Sequence, residues 1–267
     1  MDEKESLAPV RRWRDGVASD DTRCLADEAP VAIVVNGSTV AVLLATPADL
    51  ADFAIGFVIT EGIVATAADA GEVEIVRHPD GFEARLWIAA ATAERLAERR
   101  RIAVGPSGCG LCGVESLAAA VPPPRLVTAA GPRPKPAEII AAMAALGEAQ
   151  PLGQATRAVH GAALWRRGKA LIVREDVGRH NALDKVAGAV MRGGIDPAAA
   201  MLLLTSRVSV EMVQKAAVLG VPVVVAVSAP TRLAVASAEA AGLTLIAVAR
   251  RDGFEIFTGG IRIGCTL

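Results

Sequence analysis

The chain has 267 residues, 52% of them hydrophobic and 3% aromatic, enough for a core of Ala, Val, Leu and Ile in one large domain or two small ones. Lys and Arg total 28 against 29 Asp and Glu, so a formal net charge of -1 gives no broad footprint for nucleic acid or an anionic membrane, and any anion site must be local. The charged first residues lack the apolar run of a secretory signal and nothing approaches a membrane span, so the expected location is the cytoplasm, where four cysteines do not read as a disulfide framework.

Past a polar leader, residues 29–45 are rich in β formers and are interrupted by Asn36-Gly37, which predicts a two-stranded hairpin. Thr46-Pro47-Ala48-Asp49 reads as a helix start, with a Thr cap and Pro in the first position, opening an apolar helix from Leu50 to about Thr60 that Gly62 ends. Strands at 72–77 and 82–88, a charged helix at 92–99 and a strand at 101–104 complete an α+β unit. Between Val121 and Pro136 six prolines fall in 16 residues, a composition that builds neither helix interior nor central strand. The expected division is therefore a smaller α+β N-terminal domain over 1–125, ending in a cysteine loop, and an α/β domain over 126–267.

In the second part the predicted order is helix 137–149, strand 160–165, strand 170–175, helix 181–191, strand 201–205 and helix 209–219, then strand, helix and strand to near Phe257. Arg166-Arg167-Gly168-Lys169 joins the first two strands as a tight hairpin, whereas later strands such as 221–227 are nearly all apolar, as in a sheet buried on both faces. The order looks like the cytidine deaminase-like three-layer α/β/α sandwich.

Two thiols stand in Gly105-Pro106-Ser107-Gly108-Cys109-Gly110-Leu111-Cys112-Gly113, a loop whose small residues let it move and approach a partner closely. The following stretch, 114–120, looks helical, and a helix N-terminus favours the thiolate, the form that attacks a sulfur donor. A zinc half-site is the competing reading; His78, His160 and His180 are the imidazoles present, and no second Cys-x-x-Cys closes a four-ligand site within one chain, although two copies sharing one could. Gly108, Gly110 and Gly113 also match a dinucleotide fingerprint, but no Asp or Glu occurs between Glu115 and Glu138 to hold a ribose. A thioredoxin-like pair would carry an aromatic and proline pattern that this loop lacks. Cys24 and Cys265 stand alone.

Glu175-Asp176-Val177-Gly178-Arg179-His180-Asn181-Ala182-Leu183-Asp184-Lys185 puts six ionisable side chains in eleven residues at a strand end and helix start, where such sheets line their ligand crevices. A second helix start, Thr205-Ser206-Arg207-Val208-Ser209-Val210-Glu211, offers hydroxyls, amides and a guanidinium suited to phosphate, with Arg207 the foremost contact. The bland alternative is capping by Asn181 and Ser209 and a solvated Asp184-Lys185 face. In zinc deaminases these positions hold the metal ligands; here they read Arg179-His180-Asn181 and Ser206-Arg207-Val208-Ser209, which moves the reactive centre to the thiols. His160, at a strand edge, faces either the pocket or the core.

These motifs, with Val35-Asn36-Gly37, Gly56-Phe57, Thr60-Glu61-Gly62, Ser228-Ala229-Pro230-Thr231 and Arg250, resemble the formate dehydrogenase accessory sulfurtransferase family, FdhD, from about Ala29 to Thr258. The resemblance implies a sulfurtransferase with Cys109 as the persulfide carrier and Cys112 beside it, loaded by a cysteine desulfurase. It implies delivery to Mo-bis(molybdopterin guanine dinucleotide), or its tungsten counterpart, bound as substrate for the client formate dehydrogenase, with no intrinsic metal. Val248-Ala249-Arg250-Arg251-Asp252-Gly253 matches the family's cofactor-contacting segment, which His180 and Arg207 would join, and the family tends to form homodimers. One departure is Thr156-Arg157-Ala158, where the family usually has Thr-Gly-Gly; the tail from Gly259 to Cys265 also differs. The rival from another class is a non-enzymatic pterin-cofactor chaperone with a structural metal on the cysteines.

Overall fold

The computed structural model describes residues 7–93, 96, 122–128 and 130–264. Its first element lies in the segment read as a polar leader. Strands β1 (Leu7–Arg14) and β2 (Val17–Cys24) pair as an antiparallel ribbon. Asp15 and Gly16 between them both have positive φ, 51° and 82°, the two-residue turn that matches strand twist. Residues 11–20 are exposed throughout, so the ribbon has no buried face to create an apolar alternation.

The Asn36-Gly37 hairpin forms as expected, between β3 (Ala29–Val35) and β4 (Ser38–Ala45), with both turn residues at positive φ. The Asn36 side chain also clamps a distant segment: its amide donates to the Ile88 carbonyl at 2.9 Å and its oxygen accepts the Ile88 N–H at 2.8 Å. Helix α1 (Leu50–Thr60) follows, then the short α2 (Ala67–Ala70), β5 (Val73–His78) and β6 (Gly81–Leu86). The sheet order is β4-β3-β6-β5, with β3 and β6 parallel. Phe53 of α1 is fully buried against it with Ile33 and Leu86, and each such side chain contributes about 1.5–3 kcal/mol of burial. Residues 90–93 and 96 are helical; the rest of the expected 92–99 helix, the strand at 101–104, the cysteine loop and the helix at 114–120 lie outside the described residues.

The second part begins with α3 (Pro136–Glu148) and a short helix absent from the sequence reading, α4 (Pro151–Thr156). Strands β7 (His160–Trp165), β8 (Ile172–Asp176), β9 (Met201–Leu204), β10 (Val223–Ala226), β11 (Thr244–Ala247) and β12 (Glu255–Thr258) form one sheet in the order β12-β11-β10-β9-β7-β8. Strands β9, β10 and β11 are parallel, whereas β7 and β12 run antiparallel to their neighbours. Between the strands lie α5 (Arg179–Arg192), α6 (Val210–Leu219) and α7 (Arg232–Ala240).

Alternate sheet residues build two cores. Leu202, Leu204, Val224 and Leu245 pack with residues of α5, α6 and α7, while Met201, Leu203, Val223 and Ile246 pack with Ile139 and Leu146 of α3. The sheet is thus buried on both faces by helices, an α/β architecture that explains the unbroken apolar run of β9. Among the described residues no helix is long and apolar enough to cross a membrane.

Helices α1 and α5 join the two parts, and their backbones touch through glycine. A Cβ on Gly56 would lie 1.7 Å from the Asp184 carbonyl oxygen, and one on Gly188 would lie 1.9 Å from that of Asp52. Asp52 of α1 also pairs with Arg174 of β8 and Arg192 of α5, both at 2.6 Å.

Candidate functional site

The strand β8 ends on Asp176, whose fully buried carboxylate organises the turn into α5. One oxygen accepts the Gly178 N–H at 2.8 Å and the Asn181 amide at 2.9 Å; the other accepts the Thr46 N–H at 3.0 Å and pairs with Lys185 at 2.6 Å. Lys185 also donates to the Thr46 carbonyl at 2.8 Å, Asn181 donates to the Leu44 carbonyl at 2.8 Å, and the Thr46 hydroxyl accepts the Val177 N–H at 3.2 Å. Burial pushes the Lys185 ammonium below its ordinary range, and Asp176 opposes that push.

This network corrects one expectation and excludes two of the bland alternatives. Thr46 does not cap α1, whose cap position is Asp49 in a left-handed conformation (φ 53°), because its hydroxyl and backbone are engaged at the β8 end. Asn181 is not a cap: α5 starts two residues earlier, at Arg179, and Asn181 reaches inward from its first turn. Asp184 and Lys185 are no solvated face, since both are buried and paired.

Below the α5 start lies a second buried cluster. Asp184 accepts from the Thr60 hydroxyl at 2.6 Å and from Lys215 at 3.0 and 3.1 Å, and Lys215 also reaches Glu61 at 2.7 Å. Burial raises the Asp184 carboxyl to about 6 despite Lys215 and Thr60. Burial alone would lower Lys215, but Asp184 and Glu61 outweigh it and raise the ammonium. Next to this cluster, His180 is lowered to about 4, first by burial and then by the cations Arg179 and Lys215, so at neutral pH it is an uncharged imidazole. Burial and then Arg179 also lower the half-buried His160. The His180 Nε2 and Arg179 Nε atoms are buried without a hydrogen-bond partner among the described residues.

Further along the same edge, Thr205 ties β9 to β7: its N–H donates to the Gly161 carbonyl at 3.0 Å and its hydroxyl accepts the Gly161 N–H at 2.9 Å. Arg207 follows, exposed between β9 and α6. The loops after β9, β10 and β11 lie side by side. Val208 bridges to Pro230, the Val227 N–H donates to Leu204, and the Ala249 N–H donates to Ala226. Ser209 occupies the α6 cap position without a side-chain cap bond, whereas Thr231 caps α7 by accepting the Ala234 N–H at 3.1 Å.

In the segment 248–253, Val248 has φ 53°, a conformation that β-branched residues avoid and that marks stored backbone strain. The Arg250 N–H closes a tight turn on the Gly253 carbonyl at 2.7 Å, and its guanidinium donates to the Val227 and Ala249 carbonyls. Arg250 is therefore partly committed to shaping the loop, and Arg251 and Asp252 are exposed beside it. Arg207 and 248–253 thus lie on one strand-end edge with the loop after β10 between them, and His180 sits at the start of α5. Cys109 and Cys112 lie outside the described residues, as does Cys265. Among the described residues no group of three or more His, Cys, Asp or Glu is placed to hold a metal ion.

Glu175 belongs to the frame: its carboxylate accepts the Leu152 and Gly153 N–H groups at 3.0 and 2.7 Å and so holds the first turn of α4. Thr46, Thr60 and Lys215 had not been singled out individually for the site. Their signal in sequence is faint, because each pairs with residues more than a hundred positions away or, for Lys215, on another helix.

A family model described as the FdhD/NarQ family matches residues 26–264. A sulfur carrier protein FdhD from Agrobacterium fabrum is 47% identical over 251 residues, which cover 94% of this chain and 93% of the relative. One from Brucella abortus is 48% identical over 240 residues, covering 90% and 89%. The crystal structure of a protein described as a formate dehydrogenase accessory protein, from Desulfotalea psychrophila, superposes with a TM-score of 0.74 at 26% identity, covering 96% of this chain and 98% of that one.

Proposed function

The chain belongs to the FdhD/NarQ family, and from that premise we propose that it is a sulfur carrier, a sulfurtransferase that serves the maturation of formate dehydrogenase. The observation that carries this reading is the match of nearly the whole chain, at 47–48% identity, to proteins named as sulfur carriers. In the proposed reaction the Cys109 thiolate attacks the outer sulfur of a cysteine desulfurase persulfide. A new S–S bond forms on Cys109, the old one breaks, and the donor leaves as a thiolate. Release of the carried sulfur as sulfide needs two electrons, which Cys112 supplies by attacking the inner sulfur of Cys109 and closing a disulfide.

The acceptor in this reading is Mo-bis(molybdopterin guanine dinucleotide), or its tungsten counterpart, bound as substrate. Support comes from the residues at the strand ends: Arg207 and Arg251 are exposed cations suited to pyrophosphate, and His180 and Arg179 each keep a buried nitrogen without a partner among the described residues. The strained Val248 loop, covering Ala249, Arg250, Asp252 and Gly253, gives that segment a fixed shape. A sheet covered by helices on both faces is consistent with a cytidine deaminase-like domain over 126–267 that has lost its metal ligands, following a smaller α+β domain over 1–125. The reading further takes the protein to work in the cytoplasm as a homodimer.

The test is complementation of a host lacking its own carrier, with formate dehydrogenase activity as readout. Cys109→Ala is expected to abolish activation while the protein accumulates normally. Full activation by that variant would overturn the proposal.

A further inference from the structure

The ribbon β1–β2 leans against α4, where Arg23 donates to the Thr156 carbonyl at 3.1 Å, and between them lies a groove of about 360 Å³. Arg12, Arg14, Arg23 and Arg157 line it, together with the half-buried thiol of Cys24, and none of its lining residues is acidic. The ribbon register explains the convergence: Arg12, Arg14 and Arg23 alternate onto one face, the first two on β1 and the third opposite Ala8 on β2.

The four cations differ in what holds them. Arg23 is anchored on Thr156, and Arg12 pairs with Asp21 at 2.7 Å. The guanidinium groups of Arg14 and Arg157 have no hydrogen-bond or ion-pair partner among the described residues. Arg157 is also held at φ 58° by its N–H bond to the Gly153 carbonyl, at a position where glycine would rest without strain.

We propose that this groove is a second binding site, for a small polyanion of the diphosphate class. A single carboxylate satisfies one guanidinium fork, whereas several converging forks, two of them unpaired, suit a ligand that carries several oxyanion groups. The site is independent of the persulfide chemistry.

Cys24 makes the groove readable. In the full-length Cys109→Ala protein, the rate of Cys24 alkylation by a maleimide is followed by peptide mass spectrometry with and without inorganic pyrophosphate at constant ionic strength. Saturating pyrophosphate is expected to slow Cys24 at least about tenfold, as an occupied site requires. Arg14→Ala combined with Arg157→Gly removes both unpaired charges while relieving the left-handed strain, and is expected to abolish the protection without lowering the unfolding temperature. An unchanged Cys24 rate in the parent protein, or protection that survives in the double variant, overturns the proposal. Because Cys109 is absent throughout, neither result bears on the sulfur-carrier reading.

Discussion

Lys215 is the side chain on which most depends in the buried frame, because it neutralises Asp184 and reaches Glu61 and Thr60 at once. Lys215→Met leaves Asp184 buried and unpaired, and the expected loss is about 3–5 kcal/mol in urea unfolding. Pairing it with Asp184→Leu removes both charges and is expected to restore part of that loss, so a double variant less stable than Lys215→Met would contradict the account. His180 gives a test with a definite sign. Its folded-state pKa of about 4 lies below the ordinary 6.5, so the unfolded chain takes up the proton first. Its contribution is fully present above pH 6.5 and is lost as pH falls towards 4. Asp184, raised from 3.8 to about 6, works in the opposite direction over much of that window. His180→Gln is therefore expected to lose less stability than the parent between pH 6.5 and 4.5, measured by urea midpoints, and a steeper loss would contradict the assignment.

The crossing of α1 and α5 is the element-scale feature that fixes the two parts of the chain together, since Asp52 and Gly56 on one helix meet Asp184 and Gly188 on the other. Gly56→Ala would drive a methyl group into the Asp184 carbonyl, and the helices must separate or bend to admit it. The expected cost is about 3 kcal/mol or more, read from the unfolding midpoint. A variant of parental stability would mean that the helices do not pack this closely. Elements were legible in the sequence where local chemistry fixes them. Asn36-Gly37 announced its hairpin, and the apolar runs of β9 to β11 announced a sheet covered on both sides. Legibility failed where distant partners decide. Thr46 looked like a cap because the sequence cannot show that Asp176 and Lys185, 130 and 139 positions away, claim its backbone. The ribbon β1–β2 escaped notice because its exposed faces carry no alternation, although Asp15-Gly16 was a usable turn signal.

At the scale of the whole molecule, the two parts of the chain are bound through buried polar groups. The Asp176–Lys185 pair holds Thr46, and the Asp184–Lys215 pair holds Thr60, so the first part of the chain supplies partners for the buried charges of α5 and α6. This arrangement explains how much of the site could be read beforehand. The motif 175–185 was recognisable as a site because strand ends in such sheets collect ligand groups. Within it, however, Glu175, Asp176, Asp184 and Lys185 build the frame, and Arg179 and His180 keep atoms without a partner among the described residues. Burial separates these roles, and composition and spacing alone do not reveal burial.

The account rests on sulfur residing on one thiol, and the direct measurement is intact-mass and peptide mass spectrometry of the full-length protein after incubation with a cysteine desulfurase and cysteine. The expected result is a gain of about 32 Da that a reductant removes, mapped to Cys109 and absent in Cys109→Ala. No gain under conditions where the desulfurase itself carries a persulfide, or the same gain in Cys109→Ala, would contradict it.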